Sequence, residues 1–261
     1  MQETCLQEIC RLCSKHSIPV FKKKQLGKVL VQYFLCTSCH SLQTESPTWI
    51  EEAYENLNFA KDTGMVARTL FASHLILELA LAMDFKRDDL LLDHGGGTGL
   101  LTRMLRDFGL NAFWSDKYAK NIFSLGFEKE ISTTPCPKLI TAFEVFEHLS
   151  QPKIEIEALL RQNPDFVLFS TKLYQGQDAS WWYLLEDGQH LQFYSKEGLE
   201  LVSKNFNYHF CTEGSTYHLF SKKPMPSNFL KKICKKALKG CSQRRAQKKW
   251  GSRTQEDFLL I

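Results

Sequence analysis

The stretch Leu90-Leu-Leu-Asp93-His94-Gly95-Gly96-Gly97-Thr98-Gly99-Leu100 decides the fold. An apolar run of strand length ends in an acid, glycines follow at 95, 96, 97 and 99, and Leu100 to Phe108 then spaces its apolar residues as an amphipathic helix does. A ligand can lie across such a strand–turn–helix junction only where side chains are absent, and glycine also supplies the tight turn. A dinucleotide-binding loop would read G-x-G-x-x-G. Counted from Gly95 its last position is Leu100, and counted from Gly97 it is Thr102, so neither register fits. The pattern that fits without a gap is acid-x-G-x-G-x-G, over Asp93, Gly95, Gly97 and Gly99. A glycine-rich surface turn is the plainer alternative.

Outward from this loop the chain alternates strands and helices, the signature of a parallel sheet wrapped by crossover helices. Strands are expected at Leu90–Asp93, Asn111–Ser115, Leu139–Phe143 and Phe166–Ser170. Helices are expected at Leu100–Phe108, Tyr118–Leu125, Pro152–Arg161 and Ser195–Asn205, and Tyr208–Cys211 with Tyr217–Phe220 reads as a closing antiparallel hairpin. Upstream, helices are expected over Trp49–Asn58 and Thr63–Met83. Asp116 ends the second strand, 17 residues after Gly99, where a carboxylate accepts from both hydroxyls of a ribose. Capping of the next helix is the other reading of that residue.

The glycine motif, with Leu139-Ile-Thr-Ala-Phe143-Glu144-Val-Phe-Glu147-His148-Leu149 after it, resembles the class I S-adenosylmethionine (SAM)-dependent methyltransferases. The resemblance implies a Rossmann-like seven-stranded α/β sheet with helices on both faces and SAM as cofactor. It places Asp93 towards the cofactor's ammonium and Gly95, Gly96, Gly97 and Gly99 along its amino-acid portion and ribose. Phe143 and Glu144 would line the cofactor, and His148 would project towards the methyl acceptor. Lys138 stands where the family commonly carries an acid, which removes the ion pair expected there. A histidine titrates near neutrality, so His148 is suited to take a proton from a hydroxyl as the methyl moves; a capping or core histidine is the alternative.

Further on, Trp181-Trp182-Tyr183 … Gly188-Gln189-His190 … Phe193-Tyr194-Ser195 is similar to a stretch of bacterial methyltransferases associated with sugar or glycan modification. Aromatic rings stack on the apolar faces of sugars and amides bond their hydroxyls. Tyr174, Trp181, Trp182, Tyr183, Gln189 and Tyr194 are therefore candidate acceptor-binding residues, and His190 is a second candidate base. A buried aromatic core is the competing reading. No Asn/Asp-Pro-Pro-aromatic motif follows the fourth strand, and Cys136 precedes it, so neither amino-methylation nor C5-methylation of nucleobases is indicated. Oxygen is the expected acceptor atom.

Cys10-x2-Cys13 and Cys36-x2-Cys39, with 22 residues between the pairs, approach zinc-ribbon spacing. Four thiolates close a tetrahedral site and leave no open position, so the Zn2+ would be structural. A redox-active pair is the alternative, and His16 and His40 are bystanders. Some sugar-modifying members of the superfamily carry such a module ahead of the SAM domain, which extends the resemblance over residues 8–222. Pro19–Phe21 and Val29–Leu35 are its expected strands.

The net charge of +4 is unevenly distributed. Between Lys222 and Lys249 stand 11 basic and no acidic residues, and the remaining 22 basic and 29 acidic residues leave a body at −7. The tail suits nucleic acid, an anionic membrane surface or an acidic partner, or a solvated extension. A rival function follows: a zinc-ribbon nucleic-acid-binding protein, or an RNA methyltransferase using the tail. No apolar run reaches the roughly 18 residues of a membrane span and the first residues do not read as a signal peptide, so a cytoplasmic protein is expected. The divisions expected are a zinc-ribbon-like module at 1–45, a helical linker or cofactor lid at 46–89, the methyltransferase domain at 90–222 and a basic tail at 223–261.

Overall fold

The computed structural model describes residues 8–55, 62–130 and 136–260. Glu8–Ile9 (β1), His16–Gln25 (β2), Val29–Cys36 (β3) and Leu42–Thr44 (β4) form an antiparallel sheet. Leu26 and Gly27, both at positive φ, make the tight turn between β2 and β3 that Lys28 N–H closes onto Gln25 O at 3.0 Å. Ile50–Glu55 (α1) is the described part of the helix expected over Trp49–Asn58; residues 56–58 lie outside the described residues.

Met65–Ala82 (α2) runs into Leu90–His94 (β5), Leu100–Asp107 (α3) and Asn111–Ser115 (β6). Leu139–Ala142 (β7), Pro152–Arg161 (α4), Phe166–Ser170 (β8), Gln192–Phe193 (β9), Lys196–Asn205 (α5), His209–Thr212 (β10) and Tyr217–Ser221 (β11) follow. The large sheet has the order β10-β11-β8-β7-β5-β6, with β8, β7, β5 and β6 parallel and β11 antiparallel to both of its neighbours. Successive strand residues point to opposite faces. Leu91, Leu139, Leu168 and Leu219 pack with α2 and α3, while Leu92, Ile140, Val167 and Phe220 pack with α4 and α5. Two apolar layers therefore sandwich the sheet, as the α/β reading requires. From β5 the chain goes to β6 on one side and returns to β7 on the other, so a crevice opens at the carboxyl ends of β5 and β7.

Three expectations change. The sheet has six strands among the described residues rather than seven; a single parallel bridge, Trp114 with Glu128, stands beside β6. The helix expected over Tyr118–Leu125 is a loop. Asn121 Oδ1 accepts from Ser124 N–H and Oγ, and the N–H groups of Ile122 and Phe123 bond Thr98 O at 2.9 and 3.1 Å, so these groups are spent outside a helical ladder. The segment after residue 222 is helical and docked, as Phe229–Ala237 (α6), Ser242–Trp250 (α7) and Thr254–Phe258 (α8). Leu230, Ile233, Ala246 and Trp250 are buried in the same core as α2, and Trp250 Nε1–H bonds Phe85 O at 3.0 Å. Part of the basic charge faces acids of the body, in the pairs Lys249–Asp84, Arg253–Asp88 and Arg245–Glu78.

By length and composition α2 also meets the requirement for a membrane span, with mean hydropathy 1.5. Its polar residues Arg68, Ser73, His74 and Glu78 interrupt the run in sequence, and Ala72 to Ala80 are buried by the protein itself. β9, a strand of two residues, leaves the large sheet's half of the chain and pairs with β4 at Leu42↔Phe193 and Gln43↔Gln192. The cysteine module and the body thereby share one sheet.

Candidate active site

The glycine loop is pinned from behind. Gly95 and Gly96 N–H bond Ser115 O at 2.8 and 3.2 Å, and Trp114 Nε1–H bonds Gly97 O at 3.0 Å. Asp116 Oδ2 accepts from Gly97 N–H at 2.9 Å, while Oδ1 accepts from Tyr118 and Ala119 N–H at 2.8 Å each. Gly97 has φ +55°, and a Cβ built there would meet no protein atom within 4 Å. At Gly99, φ +82°, a Cβ would collide with Asn121 and Ser124. One glycine is thus required by the protein's own packing, and the other leaves open space in front of the loop.

That space opens into a cleft of about 170 Å³. Asp93, Gly95, Gly96, Gly97 and Thr98 form its floor, Phe143, Glu144 and Ser170 the wall at the ends of β7 and β8, and Met65, Arg68, Thr69 and Ala72 of α2 the roof. Six of the sequence candidates, Asp93, Gly95, Gly96, Gly97, Phe143 and Glu144, are brought together here. Gly99 and Asp116 stand behind the loop instead, holding its shape. Asp93 is buried and accepts from Thr141 Oγ1 at 2.8 Å and Thr102 Oγ1 at 3.2 Å; burial lifts its carboxyl to about 6 against those two bonds. Glu144, at φ +53°, accepts from Ser170 Oγ at 2.6 Å. Sequence reasoning missed Arg68, whose guanidinium pairs with Asp62 at 2.5 Å at the cleft. A lone arginine in the neutral first half of α2 was its only signal.

Beyond Glu144 a 3-10 turn, Phe146–His148, carries Glu147 and His148, and the loop before β9 brings His190 against them. The two imidazoles meet edge to face with centroids 4.8 Å apart. His148 Nδ1 bonds Gln189 O at 3.1 Å and His190 Nδ1 bonds Tyr183 O at 2.9 Å. Since a carbonyl only accepts, both Nδ1 atoms carry the proton and both Nε2 atoms hold a free lone pair. Glu147 is fully buried and neither of its carboxyl oxygens has a hydrogen-bond partner. Burial, and then Glu144, raise its carboxyl to about 8, while burial, and then His148, lower His190 to about 3; burial lowers His148 too.

The aromatic candidates divide. Tyr183 lies over His190 at 4.5 Å, and Trp181 packs inward on Tyr174, Tyr183 and Phe193. These rings belong to the apolar cluster of Val31, Tyr33, Leu42 and Trp49 that joins the cysteine module to the body. Tyr194 is buried, with its hydroxyl on Phe146 O at 2.7 Å, and is a core residue. Trp182 is 65% exposed, so the adjacent tryptophans do face opposite ways. Gln189 donates from Nε2 to Ala53 O at 3.0 Å, tying α1 to the His190 loop.

At the other end of the module, Cys10 Sγ lies 3.7 Å from Cys39 Sγ and Cys13 Sγ 3.4 Å from Cys36 Sγ. All four sulfurs lie within 4.8 Å of one another, and Ser38 and Cys39 N–H point at Cys36 Sγ at 3.4 Å. Four sulfurs about 2.3 Å from one ion stand about 3.8 Å apart in a tetrahedron, so the cluster fits a four-thiolate zinc site. Burial raises Cys13 to about 11, and the bond from Cys10 lowers Cys39 to about 5.

A family model described as a methyltransferase domain matches residues 67–212, more than half of the 261 residues, and the chain belongs to that family. No curated protein sequence matches it. Among solved structures it is similar to CalO1, a methyltransferase in calicheamicin biosynthesis in its SAH-bound form, with 15% identity, 59% of this chain and 54% of CalO1 covered, and a TM-score of 0.42. It is similar also to magnesium protoporphyrin IX methyltransferase from Synechocystis PCC 6803 with bound SAH, at 11% identity, 68% of this chain and 96% of that one, TM-score 0.47. Human N-acetylserotonin methyltransferase in complex with SAM shares 18% identity over 67% of this chain and 58% of that one, TM-score 0.44. The chain spans about half the length of CalO1.

Proposed function

We propose that the chain transfers the methyl group of SAM to a hydroxyl of a small molecule, of the sugar or glycan class, and that a structural zinc ion sits at Cys10, Cys13, Cys36 and Cys39. The observation that carries the reading is Gly97: its backbone is bare towards the cleft, at a loop that Asp116 holds open from behind. When bound, SAM supplies a methyl carbon made electrophilic by its sulfonium. In this reading Arg68, which lines the cleft, holds the cofactor's carboxylate, Phe143 packs on its apolar part, and Asp93 and Glu144 favour its positive charges. Holding donor and acceptor in line is the main contribution of the chain, because the displacement needs orientation more than chemical assistance.

The acceptor oxygen must lose its proton as its bond to carbon forms and the carbon–sulfur bond breaks. We assign the removal of that proton to the polar group formed by Glu147, His148 and His190. On the same reading the exposed Trp182 meets the acceptor, and the other aromatic rings, Tyr174 among them, support it as core. In this reading the cytoplasm, whose reducing thiol pool keeps the four cysteines free to bind metal, is the compartment. Calorimetric titration with SAH tests the cofactor: micromolar binding supports the assignment, and its absence in folded protein refutes it. A structure with SAH bound then shows the acceptor's shape in the volume beyond the sulfur. The nucleic-acid reading loses support from the tail's docking and its ion pairs with the body; RNA binding with a steep dependence on salt would restore it.

A further inference from the structure

We infer that Glu147, His148 and His190 form a second metal site, for one divalent first-row transition cation, distinct from the four thiols. One nitrogen of each imidazole and an oxygen of Glu147 lie within 4.8 Å of one another. Both Nδ1 atoms are engaged by backbone carbonyls, Gln189 O for His148 and Tyr183 O for His190. That arrangement fixes the tautomer with Nε2 as the ligand atom and orients each ring, which is what the outer shell of a histidine metal site does. Glu147 is fully buried and its carboxyl oxygens are unpartnered, although the hydroxyls of Tyr183 and Thr171 stand nearby. A buried carboxyl without partners is costly to keep, and a cation between it and the two lone pairs satisfies all three groups at once.

The donor set selects the ion. Two imidazoles and one carboxylate suit zinc, manganese or ferrous-type cations rather than calcium or magnesium, which prefer all-oxygen shells. Two donors come from one 3-10 turn and the third from the loop before β9, and both are fixed by β7 and the shared sheet. His148 is only half-buried, which gives the ion a way in. Three protein ligands leave coordination positions open, as catalytic sites do and the four-thiol cluster does not. On the methyl-transfer reading those positions take oxygen ligands of the acceptor, a hydroxyl or a vicinal pair; with the ion bound the imidazole lone pairs are spent on it, and the proton of the coordinated hydroxyl, acidified by the cation, leaves to water. Cation binding itself does not depend on that reading.

The test is a calorimetric and optical titration of the full chain, saturated with zinc at the thiols, with Co2+. One further equivalent is expected, with the weak visible bands of nitrogen and oxygen coordination and no intense sulfur-to-metal band. Glu147→Gln and His190→Asn should each weaken this second equivalent at least a hundredfold while zinc content stays at one per chain and SAH affinity is unchanged. The inference is overturned if the zinc-saturated wild type takes up no second equivalent at millimolar Co2+. It is equally overturned if the added cobalt shows sulfur coordination, or if both variants bind it as the wild type does. Should either variant fail to fold, the wild-type titration alone decides. Loss of SAH binding would count against the methyltransferase reading and leave this one standing.

Discussion

Replacing Gly97 by alanine separates the demands of a ligand from those of the fold. At φ +55° an L-residue costs about 1–2 kcal/mol, and because the new Cβ meets no protein atom within 4 Å no clash is added. For a domain of this size that lowers Tm by about 2–8 °C. Gly97 lines the cleft proposed to hold SAM, so a loss of at least about 1.4 kcal/mol, tenfold in Kd, is expected for SAH. Gly99→Ala should behave in the opposite way. Its Cβ is driven into Asn121 and Ser124, so Tm falls further, while the folded fraction keeps more of its SAH affinity. Differential scanning fluorimetry and SAH calorimetry on both variants give the comparison. Wild-type SAH affinity in Gly97→Ala, or a larger Tm loss there than in Gly99→Ala, would show that the loop is not shaped for the cofactor.

The remaining predictions concern charge, metal and the docked terminus. Asp93 gives up its proton near 6 when folded against 3.8 when unfolded, so the folded state holds the extra proton between those values and stability falls as pH rises through that window. The difference is about 3 kcal/mol and is constant above pH 6; subtracting the Asp93→Asn denaturation profile from the wild type's should isolate it, and coincident profiles would contradict the burial argument. Cys36→Ser, which removes the thiol that two backbone N–H groups address, should abolish zinc in elemental analysis and speed hydrogen exchange at Gln192 and Phe193 as well as in the module. Trp250→Ala removes a buried ring and its bond to Phe85 O, and should cost about 3–5 kcal/mol by urea denaturation; a loss below 1 kcal/mol would mean the terminal helices are loosely held.

The sheet was legible because β5, β7 and β8 are short apolar runs, and burial on both faces leaves little else that such runs can form. The glycine turn between β5 and α3 was legible because glycine is the one residue whose absence of a side chain is itself a signal. Tyr118, Ile122 and Leu125 failed for the opposite reason: they keep helical spacing yet are each more than half exposed, and the deciding partner, Thr98 O, lies some twenty residues upstream. Nothing in a pattern of residue types reports such a bond. β9 is too short to read, and Arg68 and Glu147 gain their meaning from neighbours on other elements. Of the paired tryptophans, Trp182 is exposed, while the cluster around Trp181 is the seam between module and body. In the basic terminus the apolar residues Phe229, Leu230, Ile233 and Leu238 among the lysines read as a short amphipathic piece, but nothing in their spacing says that Leu230 and Ile233 pack into the core with α2.

Because β9 lies across the boundary, the first 45 residues are no detachable ornament. Trimming them to obtain a minimal fragment would strip Phe193 and Gln192 of their pairing partners, leave Leu191 O without the Arg11 guanidinium that donates to it, and free the Ser195 hydroxyl from Cys39 O. His190 sits two residues before that strand. A chemist who oxidises or demetallates the thiols at one edge of the molecule is therefore handling the far end of the tether that keeps this imidazole in register.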